Sequence, residues 1–274
     1  MEANEKAGVL VEALPWIMKY HGKIVVIKYG RNITAELDKA EVYDIVFLQQ
    51  MGMKPVVVHG GGPSITEAME KSGLKPKFVN GLRVTDEATV KIIGDVYNSL
   101  RKGIVNLINK SGGKAKQLKS QDGIISAKQK SPELGYVGEI TNIRIGKIID
   151  AINDNSIPVI SPLAAGKDNK VYNINADNAA AAIAVALKAE KLTMMTNVDG
   201  VMEKGKMITH LSVSDALKKI KEGIINAGMI PKVEACIEAV KHNVPKAHLI
   251  NGEVKHSLLL EIFTDKGIGT EIVL

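Results

Sequence analysis

Cysteine is almost missing from this chain. Cys236 stands alone, which excludes an intramolecular disulfide framework and suits a reducing, cytoplasmic setting. Aromatic residues make up only 4%, so the core has to be built from Ile, Val, Leu, Ala and Met. No apolar run approaches the roughly 18 residues needed to span a membrane, and no charged-then-apolar leader opens the sequence. Arginine is rare too: Arg31, Arg83, Arg101 and Arg144 are the full set, so the net charge of +6 is carried almost wholly by lysine. Those lysines are interspersed with acids, as at Lys218, Lys219, Lys221 and Glu222, which describes solvated helix faces and not a nucleic-acid footprint. An anionic small-molecule substrate fits the same balance. Neither an internal repeat nor a set of metal-ligating residues stands out.

What is present is an α/β pattern. At 274 residues the chain is long enough for one large or two modest domains. Short apolar runs at Lys23–Tyr29, Lys54–His59, Ile157–Ser161, Lys191–Asn197 and Lys246–Asn251 read as buried parallel strands. Helical patterns separate them, at about Ala35–Met51, Ser64–Ser72, Asp86–Lys110, Ile145–Asp154, Ala176–Ala189, Val213–Glu222 and Pro231–His242. Lys204-Gly205 marks the turn of a hairpin over Val201–Ile208. Residues 113–142 are less periodic and suggest a protruding β-hairpin region, and Pro162–Lys170 is a plausible boundary between two lobes. Residues 3–20 form a separate helix with an apolar stripe of Val9, Leu10, Ala13, Leu14, Ile17 and Met18, kinked at Pro15. That stripe needs a cover, either its own domain or a partner subunit.

Four segments carry chemistry. Val58-His59-Gly60-Gly61-Gly62-Pro63 is a strand entering a helix through three glycines, which lets backbone N–H groups approach an anion beside a helix dipole. Esterase oxyanion holes use a similar run, but no G-x-S-x-G elbow occurs here, so a hydrolase is excluded. Ile27-Lys28-Tyr29-Gly30 places a lysine at a strand tip beside a glycine. Gly228-Met229-Ile230-Pro231-Lys232 places another in the first turn of a helix, where its charge opposes the dipole unless an anion is near. Tyr172-Asn173-Ile174-Asn175-Ala176-Asp177 adds two amides and a carboxylate at a strand-to-helix junction. Phosphoryl transfer asks for such parts: glycine loops, two cations and an acid to orient them. A carboxylate acceptor is already ionised, so no general base is required, and the lack of an obvious catalytic histidine is expected.

Taken together the segments resemble the amino acid kinase family. The likeness runs nearly end to end and includes Asn80-Gly81-Leu82-Arg83-Val84-Thr85 and Val198-Asp199-Gly200-Val201. It implies a three-layer α/β/α open sandwich on a mostly parallel central sheet. The implied division is an oligomerisation helix over 1–20, an amino-acid-binding lobe over 21–165 and an ATP-binding lobe over 166–274. The implied reaction is ATP-dependent phosphorylation of the side-chain carboxylate of N-acetyl-L-glutamate. By motif, Lys28 and Lys232 resemble the lysines that stabilise the transition state, and Asp177 the acid that orients them. Gly61 and Gly62 resemble backbone donors to the transferring group. Arg83 and Asn173 resemble the residues that hold the acylated amino acid, and Gly30, Asn197 and Asp199 lie where the nucleotide is expected. Mg²⁺ would accompany ATP, held mostly by phosphates and water. Trp16 and the tail containing His256, Gly267 and Gly269 resemble arginine-inhibited members, whose N-terminal helices interlace three dimers into a hexamer.

Several positions depart from the family pattern. Arg31 replaces a glycine, Gln117 begins a segment that has lost two glycines, Asn197 stands where Asp is usual, and Trp16 replaces a tyrosine. Besides the N-acetylglutamate reaction, two readings therefore stay open: a kinase for a related amino-acid carboxylate, and a regulatory homologue with a weakened nucleotide site.

Overall fold

Apolar strands bury both faces of the central sheet. The computed structural model describes residues 3–30, 39–226, 228–264 and 267–274. Strands β1 (Ile24–Tyr29) and β2 (Lys54–His59) form its centre. The short hairpin β3 (Phe78–Val79) and β4 (Leu82–Arg83) stands apart as a two-stranded ribbon. Strand β5 (Ala115–Leu118) is one edge of the central sheet. Strands β6 (Ile125–Gln129) and β7 (Gly138–Ile143) pair in a second sheet, and β8 (Ile157–Ile160) returns to the first. Next come β9 (Leu163–Gly166), β10 (Val171–Asn173) and β11 (Lys191–Thr196). The last five are β12 (Met202–Glu203), β13 (Lys206–Met207), β14 (His210–Ser212), β15 (Ala247–Asn251) and β16 (Thr270–Val273).

The central sheet has eight strands in the order β14-β16-β15-β11-β1-β2-β8-β5, and four join the second in the order β10-β9-β6-β7. From β15 to β5 every neighbour is parallel; β16 pairs antiparallel with β15 and carries β14 parallel to itself. Side-chain alternation sends Val26, Val56, Val58 and Leu192 to one core and Val25, Ile27, Val57 and Val159 to the other. Each fully buried Val or Ile of this kind contributes about 1.5–3 kcal/mol of transfer free energy.

Helices cover both faces. The first core is closed by α7 (Ala176–Ala186) and α9 (Ile230–Lys241), with α6 (Gly146–Asn153) and α8 (Val213–Lys221) beside them; the second by α3 (Lys39–Gln50), α5 (Glu87–Lys110) and α10 (Ser257–Ile262). The small helix α4 (Gly62–Lys71) follows β2 directly. This is the mostly parallel three-layer sandwich expected. In α5 the N-cap Asp86 accepts from the Thr89 N–H at 2.8 Å, and Ile93, Tyr97, Leu100, Ile104 and Ile108 line one buried face at helical spacing. The hairpin turn at Lys204-Gly205 forms as read, with φ of +49° and +77°.

One expectation changes. Residues 113–142 are not one protruding hairpin: β5 is an edge strand of the central sheet, and only β6 and β7 form the antiparallel pair. The N-terminal helix breaks where expected, into α1 (Ala3–Glu12) and α2 (Leu14–Tyr20), with Pro15 in the first turn of the second piece. Most of its stripe does not fold back on the chain, although Ala13 and Ile17 are half-buried. Val9, Leu10, Leu14 and Met18 are 51–72% exposed, whereas Trp16 and Tyr20 pack on the second core. No helix among the described residues is long and apolar enough to cross a membrane.

Candidate active site

Lys28, near the C-terminal end of β1, is 7% exposed. Its Nζ lies 2.9 Å from Oδ1 of Asp177, in the first turn of α7. Lys232, in the first turn of α9, donates from Nζ to the other oxygen, Oδ2, also at 2.9 Å. One buried carboxylate thus holds two cations that arrive from different elements. Burial by itself raises an acid's pKa, but the two lysines outweigh it and hold the Asp177 carboxyl below its usual range. Lys28 is shifted down, by burial first and by the neighbouring Lys232, with Asp177 only partly offsetting them.

Local sequence explains each placement. Asn175 caps α7, its Oδ1 accepting from the N–H groups of Asp177 and Asn178 at 2.8 and 3.1 Å, so Asp177 enters the helix at a fixed height. Pro231 lies in the first turn of α9, where its fixed φ suits the helix start, and Lys232 follows it in the same turn. At Gly30 an added Cβ would lie 2.6 Å from the Lys28 Nζ and 2.8 Å from the Met195 carbonyl, so only glycine leaves the ammonium its position.

The pair faces a cavity of about 270 Å³ between the ends of β1 and β2, α4, α7, α9 and the β3–β4 hairpin. Gly60, Gly61 and Gly62 form one wall, and no side chain caps the α4 N-terminus, leaving its amides to a ligand. Arg83 adjoins that wall, donating from Nη2 to the Gly62 carbonyl (3.1 Å) and to Thr66 Oγ1 (2.9 Å). Its guanidinium stacks 4.8 Å from the ring centre of Phe78, its cross-strand partner. Asn173 closes the floor, its Nδ2 3.4 Å from Thr85 Oγ1. Lys28, Lys232 and Arg83 against Asp177 leave the cavity strongly positive, and Asp177 is the only carboxylate lining it among the described residues.

The structure therefore brings together Lys28, Lys232, Asp177, Gly30, Gly61, Gly62, Arg83 and Asn173. Asn197 and Asp199 follow β11, the strand beside β1, and are exposed; the Asp199 carboxylate accepts from Asn251 Nδ2 at 2.7 Å. Gln117 is elsewhere. It sits on β5, an edge strand separated from β1 by β2 and β8. Arg31 lies outside the described residues. Missed in the sequence were Thr66 and Phe78, and Asn80-Gly81, named only as part of the family likeness, was not read as the turn that presents Arg83. The dipeptide, with φ of +48° and +76°, is itself a strong hairpin signal.

A second cavity of about 220 Å³ lies beneath α2, lined by Trp16, Gly267 and Gly269 together with Lys191, Glu261 and Glu271. Glu261 is tied to Lys191 Nζ at 2.8 Å and His248 Nε2 at 2.9 Å. Glu271 is held down at about 2, where burial is outweighed by hydrogen bonds from Lys246 and His210. His256 does not line this cavity; its Nδ1 bonds Asp44 Oδ1 at 2.7 Å, and it caps α10 with a left-handed φ of +58°.

Residues 23–251 match the model of the amino acid kinase family. The acetylglutamate kinase of Desulforamulus reducens is 45% identical, over 98% of this chain and 98% of its own. That of Caldanaerobacter subterraneus subsp. tengcongensis is 48% identical, over 97% of this chain and 93% of its own. Among solved structures, N-acetylglutamate synthase from Neisseria gonorrhoeae superposes with a TM-score of 0.89 at 24% identity, a likeness of fold. The match covers 98% of this chain and 63% of the synthase, so the chain spans under two thirds of that protein.

Proposed function

The chain belongs to the amino acid kinase family, and we propose that it transfers the γ-phosphoryl group of ATP to the side-chain carboxylate of N-acetyl-L-glutamate, the acetylglutamate kinase reaction of arginine biosynthesis. The observation that carries this reading is the sharing of Asp177 between Lys28 and Lys232 at the mouth of a glycine-walled, positive cavity.

In the reaction an oxygen of the acceptor carboxylate forms a bond to the γ-phosphorus, the bond from that phosphorus to the β–γ bridging oxygen breaks, and ADP leaves with the electron pair. The acceptor is ionised near neutral pH, so no proton has to be removed. Charge spreads over the transferring oxygens, and the protein's task is to hold and neutralise it. Lys28 and Lys232 supply cations from two sides, and Asp177 fixes where each ammonium sits. The N–H groups of Gly61 and Gly62 supply neutral donors. Arg83 takes the acceptor's α-carboxylate and Asn173 its acetamido end. Gly30 leaves room for the phosphates, with Asn197 and Asp199 on the nucleotide side. Both oxygens of Asp177 are engaged by lysines, so the cavity suits Mg²⁺ that is carried by ATP phosphates and water. When bound, the ion neutralises phosphate charge.

The acceptor-binding lobe corresponds to 21–165 and the ATP-binding lobe to 166–274. The exposed stripe of α1 and α2 supports a homo-oligomer joined through residues 1–20, in the manner of a trimer of dimers. The cavity beneath α2 offers Glu261 and Glu271 with Lys191 and Lys246 to a zwitterion, which supports L-arginine as an inhibitor there. A coupled ADP-release assay with ATP–Mg²⁺ tests the reading. ADP release should depend on N-acetylglutamate, and a folded protein that releases none with this acceptor does not carry the function.

A further inference from the structure

We propose that His59 is a positioning residue that turns the Gly60–Gly61 peptide so that the Gly61 N–H faces the cavity. The inference rests on the phosphoryl-transfer reading of that cavity. His59 ends β2 and is fully buried. Its Nδ1 lies 2.9 Å from the carbonyl oxygen of Gly60, and its Nε2 lies 2.7 Å from Ser161 Oγ. Ser161 Oγ in turn receives Nη1 of Arg101 at 2.8 Å, and Arg101 Nη2 donates to Asn98 Oδ1 at 2.8 Å.

The two ends of this chain of hydrogen bonds work in one direction only. A carbonyl oxygen only accepts, and a guanidinium only donates. Nδ1 therefore carries a hydrogen and gives it to Gly60. In a neutral ring Nε2 is then an acceptor, and the Ser161 hydroxyl donates to it while accepting from Arg101. Burial keeps the ring neutral, lowering its pKa to about 4. Tyr97, from the same helix as Arg101, stands edge-on to the imidazole, with ring centres 5.4 Å apart.

The consequence follows from peptide geometry. In a trans peptide the C=O and the next N–H point in opposite directions. Holding the Gly60 carbonyl on the buried imidazole side aims the Gly61 N–H the other way. Gly61 lines the cavity, and among the described residues its N–H makes no hydrogen bond inside the protein. A Cβ at Gly61 would meet Leu100 Cδ1 at 2.8 Å and Tyr97 Cε1 at 3.0 Å, so α5 backs the loop and prevents it from retreating. His59 touches no substrate in this scheme. It sets the direction of a donor that does.

The test pairs two variants that share a packing defect. His59→Asn keeps an amide donor near the Nδ1 position; His59→Gln moves it toward the Nε2 position and lets go of the Gly60 carbonyl. Both lose the ring against Tyr97 and should lose similar thermal stability. We expect His59→Gln to lower kcat about tenfold or more while His59→Asn stays within about threefold of wild type, with the KM for N-acetylglutamate little moved in either. Equal kcat losses in the two variants would overturn the proposal. Nitrogen-15 NMR of histidine-labelled wild-type protein gives an activity-independent readout. A protonated Nδ1 and a bare Nε2 are expected, and the opposite tautomer overturns the proposal. Wild-type protein that makes no ADP would sink the kinase reading alone, because the tautomer still decides the arrangement of His59 and Gly60.

Discussion

Lys28 and Lys232 each take a different oxygen of Asp177, both at 2.9 Å, although one rises from a strand tip and the other from a helix start. Neither lysine is well placed by itself. Lys28 is desolvated, and Lys232 lies at the positive end of a helix dipole. The shared carboxylate compensates for both and leaves each ammonium with further N–H donors for a ligand.

This arrangement predicts different failures for the lysines and the acid. Lys28→Ala or Lys232→Ala leaves Asp177 paired with the other lysine, so the fold should persist while kcat falls by about 10²-fold or more. Asp177→Asn leaves Lys28 buried without an opposite charge and should cost stability as well, about 3–5 kcal/mol by analogy with broken buried pairs. Steady-state kinetics and urea unfolding, run in parallel, separate the two. A folded lysine variant with near-normal kcat removes that lysine from the mechanism.

Arg83→Lys should raise the KM for N-acetylglutamate and leave that for ATP nearly unchanged. A lysine keeps the charge but cannot span Gly62 O and Thr66 Oγ1, stack on Phe78 and present a planar edge to a carboxylate at once. The two KM values measured on purified variant decide it; an unchanged acceptor KM counts against the carboxylate role.

Much of this site was legible along the chain because its parts are local. The glycine run, the strand-tip lysine, Pro231-Lys232 and the amide-rich junction each announce themselves within a few residues. What could not be read is long-range. Ser161 meets His59 across 102 residues and Arg101 across 60, and nothing in the sequence pairs them. Asn175 looked like a ligand residue, and its oxygen is the cap of α7. Strand order is not written in strand patterns either, so nothing local places β5 and Gln117 at the far edge of the sheet. Asp44 gave no signal, yet it is fully buried and holds the left-handed His256.

His59 also predicts an acid-labile fold. Its pKa is about 4 when folded and about 6.5 when unfolded, so between these values the unfolded chain binds the extra proton. Stability should therefore fall as pH is lowered through this window, by up to about 3 kcal/mol from this residue. Buried His248, also shifted down chiefly by burial, adds a loss of the same sign. Unfolding free energies between pH 7 and 4 should decline less steeply in His59→Asn than in wild type. Matching slopes would mean that His59 does not contribute this term.

The final prediction concerns the N-terminal helices. Val9, Leu10, Leu14 and Met18 are exposed, while Trp16 and Tyr20 on the same helical segment pack on the second core. The segment is thus anchored by one face and presents an apolar face outward, a large patch for a lone chain to leave in water. Burying four such side chains against a second copy contributes about 1.5–3 kcal/mol each before entropy costs. Removing all of residues 1–20 would also strip Trp16 and Tyr20 from the core, so charges on the outward face are the cleaner change. Leu10→Glu with Leu14→Glu should reduce the proposed hexamer to dimers by light scattering, with N-acetylglutamate-dependent turnover still measurable. The proposed inhibition by arginine should weaken as well, because Trp16 and Tyr20 from this segment line the cavity with Glu261 and Glu271. A double variant that keeps the wild-type mass class would show that the outward face is not the contact, and the proposed link between assembly and arginine would lose its support.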